Sequence, residues 1–201
     1  MYVNTIHELY LLPQKETKPT ECITTMINEE FIKRAEEKLT DMNEGDFNKY
    51  LKRISKEQQI MVGYVMAMGD IFEDEEEYFN KYVFYFTMVH RAYNTRFRSF
   101  PKIDNSIIDE IEERDEKELS ALIDVDEEQL EETMISWIKA HPQKALLSFF
   151  YDDLFGSEDE FDDIGEELDS QIFFLLVSIV NIYEEALVRS QKELNLTKTN
   201  N

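Results

Sequence analysis

An all-α fold is what this chain predicts, on three grounds. Five Gly and four Pro in 201 residues leave few tight turns. Glu, Leu, Lys, Met and Ile are frequent, which favours long helices over a turn-rich β architecture. Apolar side chains recur at three- and four-residue intervals through most of the sequence. These observations predict a multi-helix bundle of about six to eight helices in one domain spanning 1–201. Two related helical halves sharing one core fit the pattern, with lobes over 28–100 and 106–192. A content of 42% apolar residues, with 14 Phe and 10 Tyr, supplies that core and argues against disorder despite the charge.

The opening, 1–21, reads as an arm or a short helix: Ile6, Leu9, Leu11 and Leu12 form an apolar cluster, and Pro13 and Pro19 bracket a polar loop. From Asn28, a good N-cap, Phe31, Ile32, Ala35, Leu39 and Met42 repeat with helical spacing until Asn43 and Gly45 stop the pattern. Phe47, Tyr50, Leu51 and Ile54 make a short helix expected to end at Ser55, because Ser55 and Gln58 have the spacing of a capping box. Ile60, Met61, Tyr64, Val65 and Met68 form the next stripe, in which Gly63 and Gly69 suggest close approach of another helix. The following helix, over 75–99, is apolar nearly all round from Tyr82 to Val89, so it should be central.

Pro101 closes the first half. Ser106 with Asp109 opens a weaker pattern through Ile107, Ile108, Ile111, Leu119 and Leu122. Its middle, 112–118, lacks any apolar residue and is expected to be exposed or frayed. Asp126 with Gln129 has capping-box spacing before Leu130, Met134, Trp137 and Ile138. Pro142 suits the first turn of a helix carrying Leu146, Phe149, Phe150 and Leu154. The last helix starts near Asp163 or Glu166, is apolar all round from Ile172 to Val180, and reaches about Lys192; 194–201 reads as a flexible tail. Asp70-Ile71-Phe72 with the acids at 75–77 recurs 83 positions later as Asp153-Leu154-Phe155 with the acids at 158–160, a spacing that an internal duplication would give and that chance also gives, more readily, in a chain so rich in Asp, Glu and Phe.

Charge divides the chain unevenly. Residues 103–201 hold 27 Asp and Glu against 7 Lys and Arg, a net of −20 out of −23 for the whole. Such a field repels nucleic acid and anionic membrane and attracts cationic partners. It concentrates at Asp109 to Glu118, Asp124 to Glu132 and Asp152 to Asp169. The turn after Phe155 is the first candidate partner-binding site, comprising Asp152, Asp153, Glu158, Asp159, Glu160, Asp162 and Asp163. It fails as a calcium loop: with Gly165 at the sixth position, Ile164 falls at the fifth and Gln171 at the twelfth. The one cationic stretch contains Arg91, Arg96, Arg98 and Lys102 among Tyr93, Phe97 and Phe100, and its arginines suit docking between lobes better than nucleic-acid contact.

Motifs for chemistry are missing. His7, His90 and His141 sit in neither H-E-x-x-H nor Glu-x-x-His, so no metal site is expected. His90 lies on or beside a helix stripe, where a hydrogen-bonded core histidine is expected, and a turn role suffices for His141. Cys22 has no base placed beside it by any cue, serines lack a G-x-S-x-G setting, and no Gly-rich phosphate loop occurs. A lone cysteine and the lack of a signal-like opening suggest the cytoplasm. The Ile172 to Val180 run is about nine residues against roughly 20 for a bilayer span.

The reading is therefore a non-enzymatic acidic interaction protein that binds a basic protein surface, without cofactor, nucleic acid or membrane. The alternatives are a helical module acting through an apolar groove or homo-oligomer interface, and a carboxylate-based metal-dependent enzyme.

Overall fold

Asn28 and Asn43 each open a helix by the same device. Each side-chain Oδ1 accepts a backbone N–H three residues on, from Phe31 at 3.2 Å and from Asp46 at 3.0 Å. In the computed structural model these are α1 (Glu29–Thr40) and α2 (Glu44–Glu57), followed by α3 (Gln59–Ala67), a 3₁₀ turn (Met68–Phe72) and α4 (Glu76–Arg96). The second half holds α5 (Asn105–Ile123), α6 (Glu127–Ala140), α7 (Lys144–Phe155) and α8 (Asp163–Thr199). The structure describes residues 26–72, 75–97, 100–123, 127–156 and 163–199, and among them every regular element is helical. The all-α expectation holds, with eight α-helices among the described residues, at the top of the predicted range.

Several boundaries differ from the sequence pattern, each for a local reason. α2 does not stop at Ser55, whose hydroxyl donates to the Leu51 carbonyl at 3.0 Å within a continuing helix. The break comes at Gln58, with φ −133° and ψ 58°. Its buried side chain makes no cap; it donates to the Pro101 carbonyl at 2.9 Å and accepts from the Ile103 N–H at 3.0 Å, fastening the link between the halves. Asp104 rather than Ser106 opens α5, accepting from the Ile107 N–H at 3.2 Å. Pro142 lies just before α7 rather than inside it. The stretch 112–118 is continuous helix, and its Asp115 is only 3% exposed. α8 runs through 194–199, where a tail was expected.

α4 and α8 are the two central helices, as their all-round apolar middles predicted. They pack on each other; α1 covers α4, while α5 and α7 cover α8. One hydrophobic cluster includes Ile32, Tyr82 and Val89 of the first half with Ile111, Phe150 and Val180 of the second. Aromatic pairs join the halves: Tyr85 meets Phe150 edge-on at 5.3 Å, and Tyr183 lies 5.1 Å from Tyr93 and 4.8 Å from Phe100. Gly69 abuts the Phe79 ring, so a Cβ there would come within 3.1 Å of it, whereas Gly63 faces open space. By length and composition α8 is apolar enough to cross a bilayer, a longer stretch than the nine-residue run suggests; 67% of its most apolar window is buried within the bundle. The arm at 1–21, Cys22 and the proposed cap Asp126 lie outside the described residues.

One ion pair ties the central helices. Lys81 of α4 donates to Asp169 of α8 at 2.8 Å, and the Asp169 side chain is 2% exposed while Lys81 reaches the surface. A buried carboxylate deprived of its cation is costly. Lys81→Met is expected to destabilise the fold by about 3 kcal/mol in urea unfolding, with Lys81→Met/Asp169→Asn recovering most of the loss. A loss under about 0.5 kcal/mol would place Asp169 in contact with water.

Candidate functional site

α5 buries Ile107, Ile108 and Ile111 against α8, and the next position on that stripe, four residues on, is Asp115. A carboxylate is thereby carried into the interior, where it needs donors. Asn181, placed among the apolar residues of α8, supplies them: its amide nitrogen lies 3.0 and 3.1 Å from the two Asp115 oxygens. The opposite end of the same amide accepts from His141 Nε2 at 2.9 Å. His141 Nδ1 accepts from the Gln143 backbone N–H at 3.0 Å. Because a backbone N–H only donates, this network assigns the proton to Nε2 and leaves His141 neutral.

The chain of bonds continues through Gln143, whose side chain is fully buried. Its Oε1 accepts from the Ile27 N–H at 2.8 Å, at the entrance to α1, and its Nε2 donates to the Glu184 carboxylate. Asp115, Asn181, His141, Gln143 and Glu184 thus form one polar path through α5, α8 and the α6–α7 turn. Burial lowers the His141 pKa, opposed by Asn181 and by the Glu184 carboxylate. Both ring nitrogens are engaged, so the imidazole offers no free lone pair to take a proton from a substrate.

Beside this path opens a pocket of about 230 Å³. Trp137 forms one wall, with its ring 5.6 Å from that of His141. Glu118 of α5 and Glu184 and Glu185 of α8 face it, with Arg114 at the side. Arg114 Nε stands 3.5 Å from Asp115, and Arg189 takes Glu185 at 2.9 Å and also binds Glu110. Among the described residues Glu118 makes no ion pair. Along its length, α5 exposes Asp109, Glu110, Glu112, Glu113, Glu116 and Glu118 against the cations Arg114 and Lys117; of these, Arg114 and Glu118 line the pocket.

The residues singled out in the sequence lie elsewhere. Asp152 and Asp153 are exposed at the end of α7, and Asp153 accepts the Tyr85 hydroxyl. Asp163 is the first residue of α8, while Glu158, Asp159, Glu160 and Asp162 lie outside the described residues. The proposed duplication cannot be followed through its acidic turns for the same reason. Its first copy, 70–72, sits in a 3₁₀ turn and its second, 153–155, ends an α-helix. Of the arginines expected to dock the lobes, Arg91 lies over the Tyr50 ring at 5.4 Å and Arg96 over the Phe31 ring at 5.9 Å, both rings of the first half. Arg98 is outside the described residues. Arg53, over Tyr50 at 4.8 Å, completes an open depression of about 500 Å³ with Arg91 and Lys49. Among the described residues, no three of His, Cys, Asp and Glu are grouped to hold a metal ion.

His90 is a core histidine, as its stripe position indicated. Nδ1 lies 2.8 Å from the Tyr183 hydroxyl and Nε2 lies 2.6 Å from the Asn94 amide, which assigns the proton to Nδ1. Burial, helped by the Arg53 charge, lowers its pKa to about 4. Glu57, 3.7 Å from Nε2, is therefore beside a neutral ring rather than in an ion pair.

Comparison with protein-family models, with curated proteins and with solved structures returns no match.

Two expectations follow from these networks. Asn181→Ala leaves the buried Asp115 carboxylate without its amide donor and is expected to cost about 2–3 kcal/mol in urea unfolding. A cost below about 0.5 kcal/mol would mean that water reaches Asp115. For His90, the folded pKa of about 4 lies below the ordinary 6.5, so the unfolded chain binds a proton that the folded one refuses between them. The resulting stabilisation is complete above pH 6.5 and is lost as pH falls toward 4, about 3 kcal/mol in total. Stability measured between those limits should fall less steeply in His90→Gln than in the wild type; equal slopes would refute the buried neutral histidine.

Proposed function

We propose that the protein is a non-enzymatic interaction module whose acidic half engages a basic protein surface. The observation that carries this reading is α5, which exposes six carboxylates against two cations of its own, with Glu110 taken by Arg189 and Glu118 turned to the pocket, while Ile107, Ile108 and Ile111 fix the helix on α8. A rigid helix holds those charges in one place, so their field is directed at whatever approaches that face. The two described histidines support the same reading, because each has both ring nitrogens committed to internal hydrogen bonds. An encounter of this kind is driven by charge complementarity and weakens as salt screens it.

A second reading, self-association through an apolar surface, is favoured by α3. Ile60 and Met66 are exposed there, and Ile71 is exposed in the adjoining 3₁₀ turn, in a helix that is apolar almost all round.

Oligo-arginine peptide is a suitable probe of the first reading. Its association is expected to weaken at least tenfold between about 50 mM and about 200 mM salt. Neutralising Asp109, Glu112 and Glu116 should weaken it several-fold more than neutralising the same number of charges at Glu29, Glu30 and Glu37 of α1. Equal effects of the two sets would leave only non-directional attraction and sink the reading. Salt-insensitive self-association in sedimentation, removed by Met66→Asp, would favour the second reading.

A further inference from the structure

The geometry points to the pocket beside Trp137 as a receptor for one cationic side chain, a guanidinium or an alkylammonium, supplied by the basic partner. This inference rests on the reading of the protein as a partner of basic surfaces and names the chemistry by which one residue is gripped. Size is the first support. Small-molecule sites usually enclose roughly 300–1,000 Å³. At about 230 Å³ this pocket is matched to a single side chain.

The walls are the second support. Trp is the best of the aromatic rings for holding a cation over its face. Trp137 is half-buried, and its ring is steadied by His141 one turn on, which is itself fixed at both nitrogens. The ring is therefore a preformed surface, so little conformational entropy is lost when a ligand arrives.

Charge is the third. Three carboxylates and one guanidinium line the pocket. Arg114 is drawn toward Asp115, and Glu185 is held by Arg189, so neither of these local pairs neutralises Glu118. An incoming cation over Trp137 would meet Glu118 from α5 and Glu184 from α8, which line the pocket together with Arg114 and Glu185. An anion would meet three carboxylates against the one Arg114 guanidinium and the net −20 of this half, and is disfavoured.

Trp137 is the only tryptophan in the chain, so its emission reports on this pocket alone. Titration with N-acetyl-arginine methylamide at constant ionic strength is expected to change that emission saturably. The citrulline analogue, equal in shape and without charge, should leave it unchanged. Glu118→Gln removes an exposed carboxylate without touching the core and should weaken the arginine derivative roughly threefold. Trp137→Leu, followed by calorimetry, should weaken it at least as much. No saturable change, an equal response to citrulline, or undiminished affinity in Glu118→Gln would each overturn the inference. If oligo-arginine still distinguishes the α5 and α1 variants while the single arginine does not bind, the pocket is wrong and the acidic face stands. If the single arginine binds while those variants behave alike, the pocket stands and the directed acidic face is wrong.

Discussion

Asp115 is a carboxylate set inside a protein whose surface is already strongly anionic, and the second half is organised around accommodating it. An unpaired buried charge is too costly to persist, so its donors must be in place whenever the fold is. The hydrogen bonds come from the Asn181 amide, with the Arg114 guanidinium 3.5 Å away, and Asn181 in turn requires a donor for its own oxygen and finds it in His141. Satisfying one group fixes the next, through to Gln143 and the backbone of Ile27. The orientation of α5 on α8, the angle of the α6–α7 turn and the entry of α1 are all set by one run of donors and acceptors. The pocket beside Trp137 inherits its shape from the same run.

Apolar packing supplies the stability that this arrangement draws on. α4 and α8 bury Tyr82, Tyr85, Phe86, Phe173 and Tyr183, of which Tyr85 and Tyr183 meet rings of the other half. These rings are large and rigid, and contribute much burial for little lost freedom. Their packing also dictates which polar side chains stay inside. His90 is held neutral between Tyr183 and Asn94, and Lys81 meets Asp169 where α4 and α8 touch. The polar interior is therefore small and mostly paired, although the Tyr82 and Tyr93 hydroxyls are buried without a hydrogen-bond partner among the described residues.

Much of the architecture was legible in the sequence because it depends on near neighbours. The Asn28 cap, the stripe of Ile32, Ala35 and Leu39, and the all-round apolar middles of α4 and α8 are short-range signals. Gln58 departs from its local pattern for a related reason. Its spacing from Ser55 imitates a cap, but its side chain is taken by Pro101 and Ile103, more than 40 residues away. The candidate site was less legible still. The densest acids, at 152–163, lie partly outside the described residues, whereas Asp115 and Asp169 are single carboxylates held inside the bundle. Two signals did mark it: Asp115 continues the buried stripe of Ile111, and Asn181 interrupts an otherwise apolar run. Neither reveals its partner, since the bonds join residues 66 and 40 positions apart.

The bond from Ile27 to Gln143 spans 116 positions, and it reaches from the entrance of the first half to the middle of the second. Gln143 cannot take up its final orientation until α1 has arrived, and α1 lies chiefly on α4, with a smaller contact to α7 beside Gln143. Closing so long a loop is entropically expensive and is repaid only by contacts made afterwards. Assembly of the polar path is thus a late event, common to both ends of the chain. A ribosome would have to release most of this sequence before the pocket beside Trp137 could take its final shape.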